Sequence, residues 1–206
     1  IDTPELFQLA LVSETWKVLA ENVLTKRWKG KMYEACKNGE TKVVQLLLER
    51  CNSEESGLNF KDEDGYTTFM IACYNEHKNV VKLLLDHSEK IELNARSIDG
   101  LTPFMIACYH GQKDVVQLFL EHSDSRIQLN TRNKDGRSAF MYACNYGHKD
   151  VVQLFPDNFK RIELSTRDNH GWTVMMIACR RGHQNIIQSL QSLVVNLAFA
   201  RKFKHL

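Results

Sequence analysis

Asp99-Gly100-Leu101-Thr102-Pro103-Phe104-Met105-Ile106-Ala107-Cys108-Tyr109-His110-Gly111 spells out a turn, a capped start, a short apolar helix and a stop. Asp-Gly favours the positive-φ reversal of a tight hairpin turn. Thr102 can accept hydrogen bonds from the unpartnered amides of a helix start, and Pro103 fits the first turn, where its missing N–H would have no partner. Gly111 suits the left-handed residue that closes a helix. Beyond it, Val115-Val116-Gln117-Leu118-Phe119-Leu120 is apolar at i, i+1, i+3 and i+4, which is the face of a second helix rather than a strand. The stretch therefore encodes a finger-like turn followed by an antiparallel helix pair.

The same pattern recurs in both directions. Cys36, Cys73, Cys108, Cys144 and Cys179 stand at intervals of 37, 35, 36 and 35 residues, each at or near the end of a short apolar run such as Ile71-Ala72-Cys73 or Ile177-Ala178-Cys179. Gly65, Gly100, Gly136 and Gly171 each precede a cysteine by eight residues, and Thr67, Ser138 and Thr173 repeat the cap. Val80 to Leu85, Val151 to Phe155 and Ile186 to Leu190 repeat the second helix. Ile91-Glu92-Leu93, Ile127-Gln128-Leu129 and Ile162-Glu163-Leu164 are expected to pin each linker to the core. A period near 35, in which no unit can bury its apolar face alone, means a stacked solenoid. The regular thiols then fill one small buried slot in successive copies. Equivalent sites lie roughly 10 Å apart across packed helices, beyond the disulfide limit of about 7 Å between Cα atoms, so free buried thiols are expected.

These residues resemble the ankyrin repeat, whose family pattern is D-x-x-G-x-T-P-L-H-x-A-A-x-x-G-H-x-x-V-V-x-L-L-L. The likeness runs from about residue 30 to residue 193. It implies an all-α ankyrin-repeat solenoid of helix-turn-helix units with β-hairpin-like finger loops, here with N-terminal helices added. Met70, Met105, Met141 and Met176 replace the family histidine, cysteine replaces its second alanine, and Glu76 stands where Gly111, Gly147 and Gly182 keep the glycine. The expected organisation is an N-terminal helical cap over 1–29, a repeat domain over 30–199 with units 30–61, 62–96, 97–132, 133–167 and 168–199, and a basic tail over 200–206.

The N-terminal segment differs in kind. Leu6, Leu9, Val12 and Trp16 recur at helical spacing, and Trp28 closes a second amphipathic stretch. The run from Leu6 to Ala20, with Leu24 and Trp28, resembles the second half of an F-box, a motif that docks on the Skp adaptor of cullin-type ubiquitin ligases. An L-P-x-E segment, the family's first half, is not present after Ile1. A plain cap over the open face of the first repeat is the other reading, since terminal repeats need unusual covers.

Composition narrows the chemistry. With 27 basic and 25 acidic residues the net charge is +2, which gives no broad electrostatic reason for nucleic acid or an anionic membrane. The tail Arg201-Lys202-Phe203-Lys204-His205-Leu206, with Arg180 and Arg181, keeps nucleic-acid or lipid binding as the remote alternative. No apolar run reaches membrane-spanning length. Free-thiol usage points to an intracellular setting, cytoplasmic or nuclear. Cys-x-x-Cys, His-Glu-x-x-His, a Gly-rich phosphate loop and Gly-x-Ser-x-Gly do not occur, so no catalytic residue, metal ligand or cofactor is assigned. His77, His148 and His183 recur at the start of the second helix, where the family uses histidine for hydrogen bonds between loops.

What remains is a binding surface. The resemblance places partners on the concave side, along the finger tips and the exposed face of the first helices. The residues at those positions are Tyr66, Leu101, Arg137 and Trp172 after the finger glycines, and Tyr74, Tyr109, His110, Tyr146, Arg180 and Arg181 after the cysteines. Tyrosine, tryptophan and arginine dominate interface hot spots. The expected partner is a protein with apolar anchors and an acidic end facing Arg137, Arg180 and Arg181, read either by a general scaffold or by the substrate receptor of an F-box-type ligase. Pro156 is expected to shorten the fourth unit's second helix. The stripe Ile186, Ile187, Leu190, Leu193, Val194 and Leu197 predicts a long closing helix.

Overall fold

A computed structural model of the chain describes residues 30–50, 57–155, 163 and 166–202. The F-box-like segment, Cys51, Ile162, Leu164 and Pro156 itself lie outside the described residues. Helices alternate between two layers. The inner layer holds α1 (30–38), α3 (Thr68–Tyr74), α5 (Pro103–Tyr109), α7 (Ala139–Tyr146) and α9 (Val174–Arg181). The outer layer holds α2 (Thr41–Arg50), α4 (Lys78–Asp86), α6 (Lys113–Glu121), α8 (Lys149–Val152) and α10 (Gln184–Lys202). Packing runs α3 to α5 to α7 to α9 on one side and α2 to α4 to α6 to α8 to α10 on the other. The molecule is an all-α solenoid, with no strand among the described residues beyond one isolated bridge between Lys61 and Thr67.

Each inner helix starts as its sequence dictates. The hydroxyls of Thr67, Thr102, Ser138 and Thr173 accept from the backbone N–H of Met70, Met105, Met141 and Met176, at 3.2, 3.3, 3.4 and 3.4 Å. In the second unit the thioether of Met70 also accepts from Thr67 N–H at 3.4 Å, closing a capping box with sulfur in place of a carboxylate. Phe69, Phe104, Phe119, Phe140 and Phe155 form a continuous aromatic seam, with centroid separations from 4.6 to 6.3 Å, that ties consecutive units together. Ile91, Leu93, Ile127 and Leu129 are buried, so those two linkers are held against the core as the sequence predicts.

The neighbouring units are stitched by polar groups as regular as the thiols. Finger to finger, the N–H of Ile98, Lys134 and Asn169 donates to the carbonyl of Asp64, Asp99 and Asp135 at 2.9, 3.1 and 2.9 Å. On the opposite edge, Asn59, Asn94 and Asn130 accept through Oδ1 from the N–H of Glu92, Gln128 and Glu163, at 2.9, 2.8 and 2.9 Å. His77, His148 and His183 place Nε2 at 2.8, 2.8 and 3.1 Å from the carbonyls of Lys37, Tyr109 and Asn145. These bonds to the preceding unit are the structural use the resemblance implied for histidine.

Two places break the regularity. Helix α8 is four residues long where α4 and α6 have nine, and the chain continues with i→i−3 bonds from Leu154 to Val151 and from Phe155 to Val152. Val152 is the residue four before Pro156, whose ring would clash with that carbonyl in a continuing α-helix. The expected shortening is therefore present, although Phe155 stays fully buried. The second break is at the far end. Cys36, Cys73, Cys108 and Cys144 are buried, but Cys179 is exposed, which corrects the expectation of five equivalent slots. Among the described residues no further helix pair is stacked on its face.

Candidate partner-binding groove

The fingers gain their shape from a polar residue three positions before each glycine. Asp62, Asn133 and Asp168 accept through Oδ1 from the N–H groups two and four residues on, at 2.8 to 3.1 Å, and Ser97 accepts from Leu101 N–H at 3.1 Å. A hairpin-like pair closes each finger, for example Asn133 N–H to the Arg137 carbonyl at 3.0 Å. These bonds order the finger backbone that carries Tyr66, Leu101, Arg137 and Trp172.

Between the second, third and fourth fingers lies a cleft of about 340 Å³. Of the sequence-predicted residues it brings together Tyr66, Tyr74, Leu101, Tyr109 and His110. The rings touch one another in series. Tyr66 meets Tyr74 edge-on at 6.4 Å, Tyr74 meets His110 at 4.6 Å, His110 meets Tyr109 at 4.8 Å, and Tyr109 meets Tyr142 and Tyr146 at 5.4 and 4.4 Å. Tyr74 and Tyr146 are exposed, whereas Tyr66, Tyr109 and Trp172 are partly buried and pack against the core. Leu101 is only 9% exposed and belongs to the core. Tyr66, Leu101, Tyr109 and Trp172 are thus not free surface positions but are also packed into or against the core. Tyr66, Leu101 and Tyr109 line the cleft as well, whereas Arg137, Tyr146, Trp172, Arg180 and Arg181 lie outside its lining.

The basic end is also altered. The Arg137 Nε lies 3.6 Å from the almost fully buried Oδ2 of Asp168, so its charge is answered within the protein. Arg181 donates through Nε to Asn145 Oδ1 at 2.9 Å, and the Arg180 guanidinium sits 5.0 Å above the Trp172 ring. Arg180 and Arg181 remain exposed.

Sequence reasoning missed Tyr142, Asn133, Asp99 and Asp135, which also line the cleft. The signal for Tyr142 was present. It stands where Ile71, Ile106 and Ile177 stand in the other units, and its hydroxyl receives a hydrogen bond from Asn133 Nδ2 at 2.9 Å. Burial pushes the Tyr142 hydroxyl up to about 12, with Arg137 opposing and Asp135 adding to the shift. Burial, then Asp99, likewise raises Tyr66. Hydrogen bonding with Tyr109, then burial, raises Tyr146. His110 is shifted down by burial and by His148. Among the described residues no cluster of His, Cys, Asp and Glu could hold a metal, and no helix is long and apolar enough to cross a membrane.

Stacked helix pairs with a row of fingers define a repeat solenoid. The family model for ankyrin repeats (3 copies) matches residues 32–133 and 123–197, and the chain belongs to the ankyrin-repeat family. Members are generally protein–protein interaction modules and typically non-catalytic. No curated protein matches the chain.

Proposed function

We infer that this chain is a non-catalytic recognition module that binds a partner protein on its concave surface through Tyr66, Tyr74, Leu101, Tyr109, His110, Arg137, Tyr146, Trp172, Arg180 and Arg181. The observation that supports this reading is the run of touching aromatic rings, open to solvent at Tyr74 and Tyr146, at the centre of the groove. Aromatic side chains lose little conformational entropy on binding and supply large apolar contact, which is why they dominate hot spots. The five units 30–61 to 168–199 form the binding domain in this reading, with 1–29 as its cap and 200–206 as a basic tail. Capture of partners by the wild-type chain should fall at least tenfold when Tyr74, Tyr109 and Trp172 are all changed to alanine. Equal capture by the triple variant would overturn the assignment.

A more specific reading is favoured by the apolar stripe Leu6, Leu9, Val12 and Trp16. In it the N-terminal segment belongs to an F-box, the Skp adaptor links it to a ubiquitin ligase, and the groove selects the target. Co-purification of a form that carries the L-P-x-E half with the Skp adaptor tests this; its failure leaves a scaffold without a ubiquitin link.

A further inference from the structure

Resting on the groove as the partner-binding surface, we propose that the cleft walled by Tyr66, Tyr109 and Tyr142 accepts a basic side chain of the partner, held over the rings and between the carboxylates of Asp99 and Asp135. Three features of the cleft select a cation. Tyrosine rings present a negative π face that attracts guanidinium and ammonium groups, more strongly where water is partly excluded. Asp99 and Asp135 are exposed finger-tip carboxylates, and among the described residues neither forms an ion pair. His110 does not compete, because burial and the nearby His148 favour its neutral form. Lys134 shares the rim, where it is exposed and forms no ion pair among the described residues, so the two carboxylates outnumber the local cation.

The Tyr142 ring is held in the cleft wall by the hydrogen bond that its hydroxyl receives from Asn133 Nδ2 at 2.9 Å. The volume of about 340 Å³ suits one long side chain and its adjoining peptide rather than a folded element. A phosphate-bearing partner would meet Asp64, Asp99 and Asp135, which face solvent at the tips of three successive fingers.

Titration of the isotope-labelled full chain with N-acetyl-arginine amide, followed by NMR, tests the proposal against the neutral isostere N-acetyl-citrulline amide. The arginine compound should shift the resonances of Tyr66, Tyr109 and Tyr142 and bind at least fivefold more tightly than citrulline. In an Asp99→Asn/Asp135→Asn variant with an unchanged thermal midpoint, that preference should shrink below twofold; Asp99→Asn alone serves if the pair loosens the fourth finger. Equal binding of citrulline, an undiminished preference in the variant, or shifts confined to Arg180 and Trp172 would each overturn it. If the preference is absent while capture still depends on Tyr74, Tyr109 and Trp172, the cation subsite falls and the groove stands. If capture is also independent of those rings, both fall.

Discussion

Gly111 and Gly182 close the third and the last inner helix with the same backbone angle, φ 71°, yet an added Cβ would strike the His148 ring at Gly111 and nothing within 4 Å at Gly182. The contrast extends across the two units. Met105 is 1% exposed and Met176 46%, Cys108 is buried and Cys179 exposed. Arg132 reaches forward to the carbonyl of Arg167 in the next finger at 3.0 Å, while Arg167 turns back to its own Gly171 at 2.8 Å. Near-identical local sequence thus has two fates, and the difference is the presence of a neighbour. In a solenoid the burial of a residue is a property of the interface between units, not of the unit.

The largest effect follows from the methionines. Met105→Ala should destabilise the protein by about 3 kcal/mol, as expected for deleting a buried side chain and leaving a cavity, whereas Met176→Ala should stay within about 0.5 kcal/mol, as for a surface site. Urea unfolding of the two variants decides it; equal losses would show that the last face is covered in solution.

The glycines sharpen the comparison, because backbone strain is common to both. Alanine at a left-handed position costs about 1–2 kcal/mol, and collision with a packed ring adds roughly 1–3 kcal/mol. Gly111→Ala should therefore cost more than Gly182→Ala by at least about 1 kcal/mol. A difference near zero would mean that His148 moves aside freely.

The buried thiols give a pH-dependent version of the same contrast. Burial pushes Cys36 up to about 12 and raises Cys73, Cys108 and Cys144 as well. A folded-state pKa above the unfolded value means that the native state holds the proton more tightly. Its stabilisation is complete below pH 9 and is lost as pH rises toward 12. Cys36 alone should thus cost about 1 kcal/mol of stability by pH 10, and the other buried thiols add losses of the same sign. Cys36→Ala should flatten the decline between pH 8 and 10 by that amount. In a Cys51→Ser background, Cys179 should be alkylated rapidly and the other four only on unfolding.

The solenoid was legible because its determinants are local and repeated: the Thr or Ser cap, the finger glycine and the two apolar runs each act within one unit. The positions of Tyr74, Tyr109 and His110 on the groove followed from the register. What was not legible depended on contacts between units. Leu101 and Tyr66 look like free surface in one copy, yet Leu101 is buried in the core and Tyr66 is partly buried against it. Arg137 reads as an open cation until Asp168, on the following finger, is placed beside it. Cys179 carries the same motif as Cys108 and differs in having no further unit stacked on it among the described residues.

Glu76 offers the smallest and most selective test. Gly39, Gly111 and Gly147 each receive the imidazole of His77, His148 or His183 from the next unit so closely that a Cβ would collide with it. Glu76 stands at the equivalent place with φ 60°, and the next unit there carries Gln112 instead of histidine. Gln112 makes the same bond to the preceding carbonyl, Nε2 to Tyr74 O at 2.9 Å, without an imidazole ring; its buried Oε1 has no partner among the described residues. The two departures from the repeat are one compensated change. Gln112→His alone should destabilise by about 1 kcal/mol through overpacking. Joined with Glu76→Gly, it should recover most of that loss, giving a favourable coupling of about 0.5–1 kcal/mol in a double-mutant cycle. Additive effects would show that the imidazole finds room beside Glu76, and that the pairing of glycine with histidine elsewhere in the array is not enforced by space.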